Sequence, residues 1–256
     1  MKKYLLILIA VCFHLSCYAD NLTGRDIAVL VDNADSSKDT HRYAVMMIER
    51  GNQKLIRKME MWVKKYGKDR HSLNKFIEPI DIQDTQFLSW SYDDPKKEDD
   101  LWVYFPSENM VRRISGGGKK SAFMRSDFAL EDMEYRHVDS DTHQFIKMDT
   151  INNRPAYVIE STAIPEKQHE TNYSKRRIWV DKEYNLPVKI EYIDQNNRLT
   201  KTLQQGDFKQ IDNIWTPTKL VIQNSLRNTR TLMQYSDTQY NTNIADNIFD
   251  QNKLKR

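Results

Sequence analysis

Along most of the chain, apolar and polar residues alternate with the period of two that marks half-buried β-strands. In residues 55–63, Leu55, Met59, Met61 and Val63 share one parity, interrupted by Arg57. Lys58, Glu60 and Lys64 fall on the other parity, beside Ile56 and Trp62. In 186–192, Leu186, Val188, Ile190 and Tyr192 share a face opposite Lys189 and Glu191. Similar runs occupy 41–49, 86–92, 100–105, 143–149, 154–162, 174–181, 198–204, 214–223 and 230–236. Turn-forming residues separate them: Asp93-Asp94-Pro95, Pro106-Ser107-Glu108-Asn109, Ile151-Asn152-Asn153, Asp194-Gln195-Asn196-Asn197 and Asp212-Asn213. Strands joined by short turns predict an antiparallel meander. Its apolar face must be hidden by curling onto itself or onto a helix, and a barrel or half-barrel closed by an N-terminal helix does both.

Two stretches read as helices. In residues 23–34, Ile27, Leu30 and Val31 recur at helical spacing, with Thr23 as N-cap. A shorter turn is expected in 126–134, where Ser126 precedes Asp127-Phe128-Ala129-Leu130-Glu131-Asp132-Met133. Some strands depart from alternation. Leu101-Trp102-Val103-Tyr104-Phe105 is apolar on both parities, and Ile178-Trp179-Val180 repeats this on a smaller scale. Such a strand is either covered on its second face or turns that face toward an apolar hollow.

The first nineteen residues follow another pattern. Lys2 and Lys3 precede an apolar run from Tyr4 to Val11, and Cys17-Tyr18-Ala19 ends it as a signal peptidase site does. This is a secretory signal peptide, too short to span a bilayer, with one domain expected over 20–256. Leu15-Ser16-Cys17 resembles a lipobox, but His14 stands where an aliphatic residue belongs, so cleavage after Ala19 is the reading adopted over lipidation of Cys17. Cleavage there removes both cysteines, leaving no disulfide and no thiolate ligand or nucleophile. It also lowers the formal net charge from +3 to about +1. A nearly neutral chain has no field to attract nucleic acid, whatever its pI of 8.6 suggests. The mean hydropathy of -0.75 describes a water-soluble shell, so any apolar surface must be concentrated on one face of the alternating strands.

Catalytic patterns are sparse. Ser115-Gly116-Gly117-Gly118-Lys119-Lys120-Ser121 lacks the spacing of a phosphate loop and reads as a flexible basic loop. There is no nucleophile elbow, no HExxH and no dinucleotide fingerprint. His137 and His143 flank Val138-Asp139-Ser140-Asp141-Thr142, which fits either two ligands across a hairpin tip or an ordinary polar turn. The expectation is no enzyme, no metal and no cofactor. Arg112-Arg113 and Arg176-Arg177 read as solvated strand faces, or as rim residues pairing with an acid or a headgroup phosphate.

The ordered series Phe76-Ile77-Glu78-Pro79, Gln83 to Trp90, Leu101 to Pro106, Val111-Arg112-Arg113-Ile114, Phe123 to Phe128 and Glu131-Asp132 resembles the LolA-like outer membrane lipoprotein-sorting family of Gram-negative bacteria. The resemblance spans about residues 24–250 and is strongest in 76–133. It implies the fold of LolA, LolB and RseB: mainly β, a curved, half-open antiparallel barrel of about eleven strands, with a few helices plugging an apolar cavity. It further implies a monomeric periplasmic carrier of lipoprotein acyl chains or phospholipid, accessory to an inner-membrane exporter of the RND/MMPL type. The alternative is an RseB-like sensor that binds a lipidic ligand and a protein partner. The family usually has glycine where this chain has Arg125. A sixteen-carbon chain gains about 12 kcal/mol on leaving water, at ~0.8 kcal/mol per methylene. The wall candidates are Met59, Met61, Leu88, Trp90, Trp102, Tyr104, Phe123, Phe128 and Met133, for each of which ordinary core packing is the competing role. From the family motif, Arg112, Arg113, Ser126, Asp127 and Asp132 form a rim or lid cluster, with Asp127 or Asp132 expected to pair with one of the two arginines.

Overall fold

The computed structural model describes residues 22–254. The expected signal peptide and Cys17 lie outside the described residues. Helix α1 (Gly24–Ala34) precedes thirteen strands: β1 (Asp39–Arg50), β2 (Gln53–Tyr66), β3 (Asp69–Glu78), β4 (Gln86–Ser91), β5 (Asp100–Phe105), β6 (Met110–Ile114), β7 (Asp141–Ile151), β8 (Arg154–Ala163), β9 (Tyr173–Asp181), β10 (Pro187–Asp194), β11 (Leu199–Ile211), β12 (Ile214–Asn224) and β13 (Thr229–Tyr240). All thirteen belong to one antiparallel sheet, in the order β6-β5-β4-β3-β2-β1-β13-β12-β11-β10-β9-β8-β7.

That order explains the architecture. The chain meanders outward from β1 to the edge strand β6, then resumes at the opposite edge, β7, and meanders back until β13 pairs with β1. β6 and β7 do not pair with each other, so the curved sheet stays open, as the half-open barrel predicts. Residues 115–140 must carry the chain from one edge to the other. They do so as short 3-10 turns, and their Phe123, Phe128 and Leu130 are buried against the inward faces of the strands. We call this segment the plug. The helical turn expected in 126–134 is one of these, a 3-10 turn at Leu130–Asp132.

The predicted helix forms over Gly24–Ala34 with a full capping box: Thr23 Oγ1 accepts from Asp26 N, and Thr23 N donates to Asp26 Oδ2 at 2.8 Å. Gly24 is required by proximity, since a Cβ there would stand 2.6 Å from the Gln144 backbone on β7. Ile27 and Ala28 then pack on Tyr157, Ile159 and Val180 of β8 and β9. Hairpins form where turn residues predict them. Asn152-Asn153 and Asp212-Asn213 take positive φ at both central positions, the type I′ geometry of two-residue loops.

The strand count is two higher than expected. β3 and β6 were not anticipated, because β3 is covered on both faces and β6 is a short edge strand. On β3, Phe76 enters the interior core while Leu73 packs on the outer side, which erases any period-two signal. The parity read in 186–192 also breaks. A register shift between Pro187 and Lys189 turns Val188 to the outer cluster of Ala156, Val158 and Trp179, while Ile190 packs with the interior cluster.

The doubly apolar β5 is resolved the same way. Leu101 and Val103 face the interior, whereas Trp102 and Tyr104 face outward under a C-terminal strap, residues 244–254. Phe249 and Leu254 of the strap are almost wholly buried, Trp90 Nε1 donates to the Phe249 carbonyl at 3.0 Å, and Lys64 pairs with Asp246 at 2.6 Å.

Candidate functional site

Between α1, the plug and the inward faces of β8, β9 and β10 lies a cavity of about 300 Å³. Ala28 and Val31 reach it from α1, Ile159 from β8, Ile178 from β9, Leu186 from the turn before β10, and Ile190 and Tyr192 from β10. These are alternate residues of strands whose other face points outward, so the period-two pattern builds the wall directly.

The charged groups in the lining neutralise one another. Arg176 donates from Nη2 to Glu131 Oε2 at 2.9 Å and lies 3.9 Å from Asp141. Arg136 grips Asp141 with two bonds of 2.6 Å. Glu131 also accepts from Thr171 Oγ1 at 2.6 Å and from Asn172 N at 2.9 Å. Burial raises the Glu131 carboxyl above its ordinary pKa, against the pull of Arg176. Burial acts on Asp141 in the same sense, but the Arg136 bonds outweigh it and hold Asp141 below the ordinary value. Arg176 is shifted up: burial opposes its charge, and the Asp141 and Glu131 carboxylates overcome that. Here two cations face two carboxylates; elsewhere in the lining Asp32 meets Arg70, Asp132 meets Lys201 and Glu134 meets Lys119, with Asp35 at the margin, and the remaining wall is apolar. Such a hollow suits an uncharged apolar group.

One side of the cavity is a seam shared with two further hollows, an outer groove of about 430 Å³ and an inner polar space of about 230 Å³. Arg70 of β3 and Tyr135 of the plug border all three, and Asp32 of α1 borders the cavity and the outer groove. Arg70 Nη2 meets Asp32 at 2.9 Å, the Tyr135 hydroxyl donates to the same carboxylate, and the Arg70 guanidinium lies 3.5 Å from the centre of the Tyr135 ring. Burial and the Asp32 contact push the Tyr135 hydroxyl pKa upward.

The plug is anchored by buried charges. Lys119, 1% exposed, lies 3.3 Å from Glu134, 3.4 Å from Glu170 and 3.8 Å from Asp99, and Lys167 joins Glu170 at 3.3 Å. The glycine-lysine stretch is therefore no solvated basic loop; it is a 3-10 turn whose lysine is drawn in by three carboxylates. Burial opposes the Lys119 charge, yet those carboxylates raise its pKa overall. Burial pushes the Glu134 carboxyl up to about 7 despite Lys119.

The nine wall candidates divide between two faces. Met59, Met61, Phe123 and Phe128 lie together in the interior cluster, with Met133 against it and beside the inner polar space. Leu88, Trp90, Trp102 and Tyr104 lie on the outer side beneath the strap. The rim cluster is corrected. Arg112 pairs with Glu108 and Arg113 with Asp100 at 2.6 Å, both at the exposed edge strand, and neither reaches Asp127 or Asp132. Asp127 instead accepts from Thr229 at 2.5 Å and Thr231 at 2.8 Å, Ser126 Oγ accepts from Phe128 N at 3.1 Å, and Asp132 meets Lys201 at 2.6 Å. The plug is pinned, but by β11 and β13 rather than by β6.

Of the second arginine doublet, Arg176 points inward to Glu131 and Arg177 outward to Glu160. The two histidines do not converge on a common point. His143 Nε2 donates to the Val138 carbonyl at 2.9 Å, so Nδ1 accepts from Ser161 Oγ at 2.7 Å. His137 is buried, with Asp93 3.8 Å away, and burial lowers its pKa. Among the described residues no group of three or more His, Cys, Asp or Glu is arranged to hold a metal ion. None of the described helices is long and apolar enough to cross a membrane.

A DUF1329 family protein from Desulfovibrio piger shares this fold at a TM-score of 0.87 and 35% identity, over 90% of this chain and 97% of its own. The chain belongs to the DUF1329 family. An outer membrane lipoprotein-sorting protein domain from Vibrio parahaemolyticus is similar at a TM-score of 0.86 and 28% identity, over 91% of this chain and 98% of its own. A LolA superfamily protein from Nitrosomonas europaea shares the fold at a TM-score of 0.73 and 20% identity, over 90% and 99%. The family model matching residues 68–256 is described only as "uncharacterized protein"-like. No curated protein matches the chain.

Proposed function

We propose that this chain is an exported, non-enzymatic periplasmic carrier. It shields the acyl chain of a lipoprotein or phospholipid in the cavity between α1, the plug and β8–β10. The observation that carries the reading is the cavity itself: an apolar wall whose charged groups are already paired. Dispersion and water exclusion suffice to hold an acyl chain there, and no reacting group is needed. The sorting-domain name of the Vibrio relative agrees in direction.

At about 300 Å³ the cavity lies at the lower bound of small-molecule sites, roughly 300–1,000 Å³. A long chain therefore requires α1 or the plug to shift, and the Arg70–Asp32–Tyr135 seam is where it would extend into the adjoining hollows. Of the wall candidates, Met59, Met61, Phe123, Phe128 and Met133 would meet a ligand once the plug lifts. Leu88, Trp90, Trp102 and Tyr104 would do so only if the strap left its face. Cargo would pass to or from an inner-membrane exporter of the RND/MMPL type, with the carrier acting as a monomer.

Native mass spectrometry of the protein from its own cell envelope tests this. Co-purified phospholipid or lipopeptide, lost in Ile190→Trp, is the expected result. An empty protein held in a complex with another protein would overturn the carrier in favour of the sensor.

A further inference from the structure

The inward rows of neighbouring strands change character partway along the sheet. They are apolar at Ala44, Met46 and Ile48 of β1, Met59 and Met61 of β2, Phe76 of β3 and Phe87 of β4. Further along, the same parity continues as Arg42 and Thr40 of β1, Ser72 and Arg70 of β3, and Ser89 and Ser91 of β4. All six border the inner polar space of about 230 Å³. The register sets them side by side: Thr40 pairs with Val63, Val63 with Ser72, Ser72 with Ser89, and Arg70 with Ser91. Directly opposed residues of one sheet face lie within reach of each other, so these strands build a polar floor.

That floor is short of partners. Ser91 is 1% exposed and its Oγ has no hydrogen bond. Arg42 Nε and Glu134 Oε1 are buried in the same condition, so three side chains bordering one hollow each hold an unused polar atom. Buried polar atoms are nearly always hydrogen-bonded, and leaving one unpaired is unfavourable. The charges are unbalanced as well. Of the four charged side chains at the hollow, Arg70 meets Asp32 at 2.9 Å, Glu134 Oε2 lies 3.3 Å from Lys119, and Asp35 accepts from Ser37 N and Oγ at 2.9 and 2.6 Å. Arg42 rests 3.8 Å from the centre of the Tyr235 ring, but among the described residues no carboxylate pairs with it. One cation is left over. Glu134, its carboxyl pushed by burial up to about 7, can keep a proton and donate it in a hydrogen bond.

The inner polar space and the apolar cavity adjoin, since Asp35, Arg70, Glu134 and Tyr135 line both. We propose that the inner polar space is the head pocket of the acyl ligand, where Arg42, Ser91 and Glu134 bind the two oxygens of a carboxylate or an acyl ester. The hydrocarbon tail then runs past the Arg70–Tyr135 seam into the cavity beside α1. This rests on the carrier reading and gives the ligand a direction within it. A guanidinium and a buried hydroxyl both donate to such oxygens, and the charge-assisted bond is the stronger of the two. Ser72 and Ser89 satisfy each other at 2.7 Å, which leaves Ser91 as the hydroxyl that turns to a ligand.

Displacement of diphenylhexatriene, a hydrocarbon probe with no head, from the full chain tests it, with laurate, monolauroylglycerol and dodecanol as competitors. At least one of the two acyl compounds is expected to compete at a concentration about tenfold or more below that of dodecanol. Arg42→Met, which keeps the side-chain stem over Tyr235, should abolish that advantage, and Ser91→Ala should reduce it about threefold or more. Ser91→Ala removes a hydroxyl that has no partner, so it should be at least as stable as wild type. Both variants should bind diphenylhexatriene as wild type does. An advantage confined to laurate assigns the pocket to a free carboxylate, and one at least as large for monolauroylglycerol assigns it to an acyl ester. If dodecanol competes as well as either acyl compound, or the variants keep the advantage, the head pocket is overturned while diphenylhexatriene binding leaves the carrier reading standing. A chain that binds none of the probes would overturn both.

Discussion

Lys201 of β11 and Asp132 of the plug meet at 2.6 Å in the interior, with 9% and 2% of their side chains exposed. Asp132 also accepts from Ala129 N at 2.7 Å and from the Tyr173 hydroxyl at 3.0 Å, and Lys201 donates to the Asp127 carbonyl at 3.2 Å. The plug therefore hangs from the second half of the sheet. Breaking such a pair leaves a charge buried and unpaired, so Lys201→Met should cost about 3–5 kcal/mol. Combining it with Asp132→Asn should restore part of that loss, with a coupling of about 1–3 kcal/mol in a urea-unfolding cycle. Additive single effects would mean that the pin does not hold the plug.

Glu134 makes stability depend on pH in an unusual direction. Burial raises its folded pKa to about 7, above the 4.5 of an unperturbed glutamate. The native state therefore binds the proton more tightly than the unfolded state does. The resulting stabilisation is fully present below about pH 4.5 and is lost as pH rises through 7. The loss is on the order of 3 kcal/mol. Glu134→Gln should remove this component of the slope between pH 4.5 and 7, measured by urea unfolding across that range. Glu131, raised by burial, adds in the same sense, and His71 and His137, lowered by burial, act in the opposite one. Asp141 acts in the opposite sense but below its unfolded value of 3.8, outside this window. An unchanged slope in the Gln variant would assign the pH dependence to another group.

The strands were legible where one face is wet and one is dry, as in β2, where Met59 and Met61 alternate with half-buried and exposed neighbours. Legibility failed where a second layer covers the outer face. Leu73 and Phe76 of β3 are buried on opposite sides, and Trp102 was assigned to the cavity although the strap hides it from outside. A bulge at Val188 defeated parity counting, because one extra residue flips every side chain beyond it. The partners of the plug were out of reach for another reason. Asp132 and Lys201 are 69 residues apart, and Glu131 and Arg176 are 45 apart, brought together only by the crossover between sheet edges. Charge alone could not tell Arg113, which meets Asp100, from Arg176, which meets Glu131.

The strap is predicted to be integral to the fold. Phe249 is 2% exposed and packs edge-on against Tyr66 and His71, over the Trp90–Trp102 pair. Phe249→Ala should cost about 3–5 kcal/mol in unfolding free energy. It should also shift tryptophan emission to the red as Trp90 and Trp102 gain water. A stability loss without the emission shift would indicate that the strap stays docked through Leu254 and the Lys64–Asp246 pair.

The cavity and the interior core give opposite signatures when altered. Val31 borders the cavity from α1, so Val31→Phe should fill it at a cost of about 1–3 kcal/mol and sharply reduce binding of a fluorescent fatty acid. Met59 is fully buried in the interior cluster beneath the plug, so Met59→Ala should cost about 2–5 kcal/mol. Its fatty-acid binding per folded molecule should stay unchanged if the plug remains seated during loading. Weakened binding in Met59→Ala would place the acyl chain beneath the plug, and unchanged binding in Val31→Phe would remove α1 from the binding wall. Measuring both variants at matched folded fractions separates ligand contact from loss of fold, because only the helix substitution is expected to lower occupancy without a comparable loss of stability.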